Sequence, residues 1–220
     1  MINKITIIGV GLIGGSLARS LRKVIDKIEI VGCGRSEGNL KKAVELGVID
    51  RYSQDLKNAI KDADIIFIST PMGAMKDIFT KINGAIEEKS IITDAGSTKN
   101  EVIKDFIEQC PTHIRQFVPG HPVAGTEHSG VESSVADLFE RSKVIITPLE
   151  DTSKEAITLV KKMWEICGAS VIRMNSLHHD QVLAATSHLP HLLAFGLVDA
   201  LSKREESDEI FQYAAGGFKD

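Results

Sequence analysis

The stretch that decides the fold is KITIIGVGLIGGS, which spans residues 4–16. Its β-branched first half is typical of a buried strand, and its second half has glycines at 9, 11 and 14 before a segment with helical periodicity. In the G-x-G-x-x-G pattern the first glycine permits a tight turn, the second lets the backbone approach a pyrophosphate, and the third lets the helix pack on the strand. Because a helix N-terminus offers unpaired N–H groups to phosphates, the stretch predicts a dinucleotide-binding loop.

Strand-like and helical segments alternate from this loop to about residue 174, with KIEIVG, DIIFIST, SIITDA, QFVPG, KVIITP and SVIRM as the further strand candidates. Such alternation predicts an α/β fold with a Rossmann-type, doubly wound parallel sheet. After Asn175 the alternation stops, and a helical pattern follows in which Pro190 is a predicted kink. We therefore predict a dinucleotide-binding domain at residues 1–174 and the start of a helical domain at residues 175–220.

The composition is that of an ordinary globular protein. The chain has 220 residues, of which 43% are hydrophobic and 25% charged, and its net charge of −4 leaves no basic stripe for nucleic acid or membrane lipid. Glycines interrupt the apolar N-terminus, so it does not predict a signal peptide, and we count no run of about 18 apolar residues that would span a membrane. Three widely spaced cysteines, Cys33, Cys110 and Cys167, fit neither disulfides nor a zinc site. We expect a cytoplasmic protein with buried thiols.

The end of the second predicted strand bears on the choice of cofactor. A site that prefers NAD is expected to have an acid there for the ribose hydroxyls, but the sequence is VGCGRSEGN, with Gly34, Arg35 and Ser36 at that point. An arginine suits a 2′-phosphate through charge-assisted hydrogen bonds, which favours NADP over NAD. The alternatives are a solvated arginine and one that stacks on adenine without discriminating between the cofactors.

Three segments that follow predicted strands are candidates for ligand binding. Ligands of open parallel sheets bind beyond the carboxyl ends of the strands, so these segments are expected to face one crevice. The segments STP (residues 69–71), DAGSTK (residues 94–99) and GHP (residues 120–122) follow such ends. Together with the glycine loop and the second strand end, they predict a cofactor site made of Gly9, Gly11, Leu12, Ile13, Gly14, Arg35, Ser36, Ser69, Thr70 and Pro71.

The segment PGHPVAGTEHSG, residues 119–130, holds His121 between Pro-Gly and Pro. Proline sets φ and glycine permits positive φ, so a side chain framed by them is aimed. With the hydroxyl of Ser97 close enough to fix its tautomer, His121 is a candidate general base, because its ordinary pKa lets it accept a proton near neutral pH. The alternative is a tight surface loop in which the histidine has no role.

The segment TSHLPH places His188 and His191 three residues apart on one helical face. The spacing is not that of a zinc motif, and no metal site is predicted. Two histidines on an apolar helix suit the binding of a carboxylate or carbonyl group, and the alternative is a pair of core histidines satisfied by their neighbours. We expect His178 and His179, near the helix start, to be solvated.

The segments IIGVGLIGGSLA, TDAGSTK, VPGHPVAGTEHSG and SHLPH, in this order and spacing, resemble the prephenate/arogenate dehydrogenases, which are the cyclohexadienyl dehydrogenases of tyrosine biosynthesis. The resemblance covers essentially the whole chain. It implies a Rossmann domain, a helical dimerisation domain, a homodimer, and the oxidative decarboxylation of prephenate or arogenate with NAD or NADP. Tyrosine is a candidate feedback ligand.

Roles for individual residues follow from the same resemblance. It implies that His121 takes the proton from the ring hydroxyl as hydride leaves for the nicotinamide, and that Ser97 orients this histidine. Glu127, His188 and His191 are implied to shape substrate binding or its regulation.

The end of the chain departs from the pattern of similar enzymes. They continue beyond FKD into a segment with an arginine that clamps a substrate carboxylate, whereas this sequence stops at Asp220. We therefore expect these 220 residues alone to self-associate and to turn over prephenate weakly, with Lys219 as the alternative cation. A β-hydroxyacid dehydrogenase and a catalytically silent nucleotide sensor are the competing interpretations of the whole sequence.

Overall fold

A computed structural model describes residues 2–215 and 218, so Lys219 lies outside the described residues. The chain divides into two compact units between His179 and Asp180. The first unit contains all of the β-structure described below, and the second is helical.

The first unit is built on a six-stranded sheet in the order β3-β2-β1-β4-β5-β6, and every neighbouring pair is parallel. This order is that of a Rossmann-type doubly wound sheet, so the predicted fold class is confirmed. The strands are β1 (Lys4–Ile8), β2 (Glu29–Cys33), β3 (Arg51–Ser53), β4 (Ile65–Ile68), β5 (Ile91–Asp94) and β6 (Phe117–Val118). The helices of this part are α1 (Leu12–Val24), α2 (Glu37–Glu45), α3 (Leu56–Ile60), α4 (Met75–Ile82) and α5 (Asn100–Gln109).

Two hydrophobic clusters show that both faces of this sheet are covered. Along β4, Ile65 and Phe67 belong to one cluster, whereas Ile66 and Ile68 belong to the other. Since successive side chains of a strand point to opposite faces, the uninterrupted apolar sequence of β4 is what a strand buried on both sides requires.

A second, three-stranded sheet follows in the chain. It consists of β7 (Gly120–Val123), β8 (Lys143–Ile146) and β9 (Ser170–Arg173), with helix α6 (Lys154–Ile166) between the last two strands. Strand β7 is antiparallel to β8, and β8 is parallel to β9. His121 therefore lies in a β-strand and is nearly buried, which contradicts the alternative of a tight surface loop. Pro122 is tolerated within β7 because β7 is an edge strand, where a missing N–H breaks no ladder on the open side.

Helices α7 (Ser176–Leu183), α8 (Leu189–Ser202) and α9 (Ser207–Gln212) complete the described chain. A π-helical turn at Ala184–His188 joins α7 to α8 just before Pro190, where the sequence predicted a kink. The combined helix Ser176–Ser202 is long and apolar enough to cross a membrane by length and composition alone, with a mean hydropathy of 1.2 over an 18-residue window. This average includes the polar residues of the helix, so it does not contradict the absence of an uninterrupted run of about 18 apolar residues in the sequence.

A buried ion pair holds the start of β7 next to the end of β5. The Lys99 ammonium donates to the Asp94 carboxylate, and neither side chain is exposed. Asp94 also accepts hydrogen bonds from the N–H groups of Gly96 and Gly120, at 2.7 and 3.0 Å. Lys99 donates to the Gly120 carbonyl oxygen at 2.7 Å. The pair therefore forms hydrogen bonds with both the N–H and the carbonyl group of Gly120, the residue that precedes His121.

We predict that Lys99→Met lowers the free energy of unfolding by about 3–5 kcal/mol, because it leaves the Asp94 carboxylate buried without its cation. Urea denaturation measures the change. Lys76→Met is the matched control, since Lys76 pairs with Glu108 at the surface and such pairs contribute about 0–1 kcal/mol. Equal effects of the two substitutions would contradict the role given to the buried pair.

The three cysteines are buried and have free thiols, as the sequence predicted. Burial raises the pKa of Cys33, Cys110 and Cys167 to about 11. We predict that iodoacetamide at about pH 8 alkylates the native protein far more slowly than the unfolded chain, because the thiolate is the reactive form.

The sign of the pH effect follows from the raised pKa values. The unfolded chain releases its thiol protons at about 8.5, so stability is lost as pH rises from there towards the native pKa of about 11. Mass spectrometry of the alkylated protein and urea denaturation across that range are the measurements. Rapid labelling of the native protein would contradict the prediction.

Candidate active site

The register of the parallel sheet brings the predicted cofactor segments to one edge. Ile8 at the end of β1 pairs with Cys33 of β2 and with Ile68 of β4, and Ile68 pairs with Asp94 of β5. The segments that follow these four strand ends therefore leave the sheet side by side. They are the glycine loop, residues 34–36, residues 69–71 and residues 95–99.

The glycine loop has the close contacts that its spacing predicts. Gly9 adopts a φ of 96°, and its carbonyl oxygen accepts a hydrogen bond from the Ser69 hydroxyl at 2.8 Å. A Cβ atom on Gly14 would lie 2.6 Å from the Ser69 hydroxyl oxygen and closer still to the Gly9 carbonyl oxygen. Any side chain at position 14 would therefore push helix α1 away from β1 and the β4 end.

The N-terminus of α1 fits a phosphate group. Gly11 is the N-cap, no side chain within the described residues caps the helix, and a Cβ atom on Gly11 would meet open space. The N–H groups at the start of an uncapped helix lack intrahelical partners and carry the positive end of the helix dipole. This turn, with Leu12 and Ile13 at its start, can hold the pyrophosphate of a dinucleotide. Thr70, beside Gly9, has a buried hydroxyl without a hydrogen-bond partner in the described chain.

The loop after β2 presents Arg35 and Ser36 at the surface. The Arg35 carbonyl oxygen accepts from the Gln54 side chain at 2.8 Å, and Ser36 caps α2 by accepting from the N–H of Asn39. The Asn39 side chain donates to the Val10 carbonyl oxygen at 2.8 Å, which ties this loop to the glycine loop. The backbone beside the glycine loop is thus fixed, while the Arg35 guanidinium extends from an exposed residue.

His121 lies on β7 opposite Ile145 and is only 9% exposed. Its Nδ1 atom is 2.9 Å from Nε2 of His179, and the two rings meet edge to face with their centroids 5.1 Å apart. The neighbouring residue on its N-terminal side is the clamped Gly120. Backbone and ring of the candidate base are therefore held independently, by the buried ion pair and by a second imidazole.

His179 corrects the sequence interpretation. We expected it to be solvated together with His178, but His179 is fully buried whereas His178 is exposed. The reason is the direction of α7, in which His179 and Leu183 are one turn apart and both are buried. His179 therefore lies on the buried side of α7, whereas its neighbour His178 lies on the side exposed to solvent.

Two other predicted residues of the first unit lie in loops. Ser97 is half-buried within the loop that Asp94 and Lys99 close, next to the end of β5. Glu127 is exposed in the loop after β7, and its carboxylate is 3.9 Å from Nε2 of His128. The roles of Ser97 and Glu127 stay predictions.

His188 and His191 belong to the helical unit. His188 is the last residue of the π-helical turn, and His191 lies in the first turn of α8. Nδ1 of His191 is 2.6 Å from the Ser187 carbonyl oxygen, so Nδ1 is the protonated nitrogen of that ring. His191 is exposed and His188 half-buried. Their part in substrate binding stays a prediction.

The sequence interpretation gave no role to Asp94, Lys99 or His179. A signal existed for the first two, because Asp94 ends an apolar strand run and Lys99 follows within the same short polar loop. For His179 the signal was weak, since SLHHDQVL lacks the apolar stripe that would show which of the paired histidines faces inward. Across residues 2–215 and 218, no group of three or more histidine, cysteine, aspartate or glutamate residues is placed to hold a metal ion.

Comparison with known proteins agrees with this arrangement. Residues 17–173 match the family model for the nucleotide-binding domain of prephenate dehydrogenase, and residues 175–220 match the model for its dimerization domain. The crystal structure of prephenate dehydrogenase from Aquifex aeolicus in complex with hydroxyphenyl propionate and NAD⁺ superposes with a TM-score of 0.91 at 39% identity. That match covers 100% of this chain and 77% of the other.

Two curated relatives extend the comparison. The chain is 37% identical to a cyclohexadienyl dehydrogenase of Zymomonas mobilis, over 98% of this chain and 74% of the relative. It is 35% identical to the prephenate dehydrogenase of Bacillus subtilis, over 100% of this chain and 60% of the relative, so it spans less than two thirds of the latter protein's length. On the strength of both family models and these identities, the chain belongs to the prephenate dehydrogenase family.

Proposed function

We propose that this protein oxidises and decarboxylates prephenate or arogenate, with hydride transfer to a nicotinamide dinucleotide, in tyrosine biosynthesis. The observation that carries the proposal is His121, a nearly buried imidazole in the same compact unit as an uncapped, glycine-led helix N-terminus. A base held in this way suits a reaction that removes one hydroxyl proton while hydride leaves the same carbon. A silent nucleotide sensor would have no use for it.

His121 is the base in this proposal. Its Nε2 atom takes the proton of the ring hydroxyl, the C–H bond at that carbon breaks, and the C–O bond becomes a carbonyl. The ring then loses its carboxylate as carbon dioxide, the electrons of that C–C bond complete the aromatic ring, and the carbonyl oxygen becomes a phenolate that takes back the proton held by His121. The dinucleotide, when bound at the α1 N-terminus, supplies the hydride acceptor. Placed acid–base groups of this kind typically contribute about 10²–10⁴ in rate.

The assignment of Ser97 rests on its loop, whereas those of Glu127, His188 and His191 rest on the resemblance of their sequence segments to the family. Ser97, in the loop beside the clamped Gly120, orients His121 or the nicotinamide in our proposal, and Glu127, His188 and His191 contact the substrate. Nδ1 of His191 donates its proton to the Ser187 carbonyl oxygen. In the neutral ring Nε2 is then a hydrogen-bond acceptor, and in the charged ring it donates, for example to a carboxylate. Tyrosine as a feedback ligand stays a prediction.

We also propose NADP as the preferred cofactor and a cytoplasmic homodimer as the working form. Arg35 carries the first assignment, because an exposed guanidinium beside the glycine loop suits a 2′-phosphate. The second is supported by α8, where Leu192, Leu193 and Phe195 are 69%, 64% and 74% exposed. An apolar surface of this kind marks an interaction site, and a second copy of the chain is the partner that the dimerization-domain match suggests.

We predict that His121→Asn lowers kcat by about 10² or more with prephenate as substrate, because the base is lost. The affinity for the dinucleotide stays near that of the wild type, since the glycine loop and the Ser69 contact are untouched. Steady-state turnover and cofactor titration by fluorescence measure the two effects in the full-length protein. His178→Asn, at an exposed histidine to which the proposal gives no role, is the control. Parallel loss of cofactor binding would show that His121 has a structural role instead.

We predict that Arg35→Ala weakens NADP binding about tenfold or more while NAD binding changes little, because a charge-assisted hydrogen bond is worth about 1.5–3 kcal/mol. Calorimetric Kd values for both cofactors test this. Arg22→Ala is the control. Arg22 lies in the last turn of α1, at the opposite end of the helix from the predicted phosphate site, and its guanidinium pairs with Asp50. A wild type that prefers NAD, with an unchanged ratio in Arg35→Ala, would overturn the assignment.

A further inference from the structure

We propose that His179 is a positioning residue that holds the proton of His121 on Nδ1 and so keeps the lone pair of the base on Nε2. The inference rests on the proposed function, because it concerns the same base. Its evidence is the buried contact of 2.9 Å between Nδ1 of His121 and Nε2 of His179. His179 does not touch the reacting atoms in this proposal and acts only through His121.

The contact restricts the protonation states of both rings. A neutral imidazole has one donor and one acceptor nitrogen, so a hydrogen bond between two such nitrogens needs a donor on one ring and an acceptor on the other. If His121 donates from Nδ1, its Nε2 accepts the substrate proton. If His179 donates from Nε2, the His121 proton moves to Nε2 and the base is blocked. Catalysis therefore selects the arrangement in which His179 is the acceptor.

The same arrangement stabilises the product of proton transfer. After Nε2 of His121 has taken the hydroxyl proton, the ring is an imidazolium that still donates from Nδ1 to the lone pair of His179. His179 thus does for His121 what a carboxylate does for the histidine of a catalytic triad, which is to fix the tautomer and stabilise the cation. The difference is that an imidazole that accepts through Nε2 in its neutral form adds no buried negative charge.

His179 is itself held by the start of α7. Asn175 precedes the helix, and its side-chain oxygen accepts from the N–H groups of Leu177 and His178 at 2.9 and 3.3 Å. The N–H of His179 donates to the Asn175 carbonyl oxygen at 2.9 Å. A capped helix start and complete burial leave the ring little freedom, as a positioning group requires.

The first experiment separates positioning from folding in the full-length protein. His179→Phe keeps a buried ring but removes the acceptor, and we expect kcat for prephenate to fall at least about tenfold, with KM and cofactor Kd within about twofold of the wild type. His179→Gln, whose amide oxygen can accept, should recover a part of this loss. His178→Phe, at the exposed neighbouring histidine, is the matched control and should retain wild-type turnover. An unchanged kcat in His179→Phe would overturn the inference.

The second experiment does not depend on turnover. Protein labelled with ¹⁵N-histidine, measured by long-range ¹H–¹⁵N correlation, shows which ring nitrogen of His121 carries the proton. We expect Nδ1–H in the wild type and in His178→Phe, and a shift towards Nε2–H in His179→Phe. A wild-type His121 protonated on Nε2 would overturn the inference. If wild-type protein fails to oxidise prephenate or arogenate, the proposed function fails, while the tautomer measurement still decides the role of His179.

Discussion

The buried pair of Asp94 and Lys99 is the interaction on which the geometry of the site depends. Removing two charges from water is costly, and the cost is offset only where the remaining polar atoms are satisfied. Here the carboxylate accepts from the N–H groups of Gly96 and Gly120, and the ammonium donates to the Gly120 carbonyl oxygen. An apolar pair of the same volume would make none of these bonds. The pair thus determines where β7 begins, and with it where His121 lies.

Two different structural features place the predicted cofactor segments and the proposed base, His121, within one compact unit. Register in the parallel sheet aligns the ends of β1, β2, β4 and β5, so that every phosphate-facing and ribose-facing segment leaves from one edge. The base comes instead from an edge strand of a separate sheet, which the ion pair connects to the end of β5. A site on strands is held more rigidly than one on loops, which suits a base that must meet a single hydroxyl.

The sequence predicted the parts of the molecule that local pattern determines. Apolar strand runs and the glycine spacing around Gly14 predicted the Rossmann-type sheet, and GHP indicated the histidine that we propose as the base. The sequence did not predict that β7 leaves the parallel sheet, because a two-residue β6 and an edge strand containing Pro122 look like a single strand followed by a turn. His179 was missed for a different reason. Its contact with His121 joins residues 58 apart, and no local pattern records such a pair.

A neutral partner for His121, as we propose for His179, suits the charges already present beside Gly120. Asp94 accepts a hydrogen bond from the N–H of Gly120, the residue before His121, and Lys99 neutralises the charge of the Asp94 carboxylate. A carboxylate in the place of His179 would add a second buried anion beside the proposed base, and it would repel a substrate that carries carboxylates. An imidazole acceptor fixes the same tautomer without that penalty. In the proposed mechanism a histidine therefore stands where a catalytic triad has its carboxylate, and the capped start of α7 is where the chain provides it.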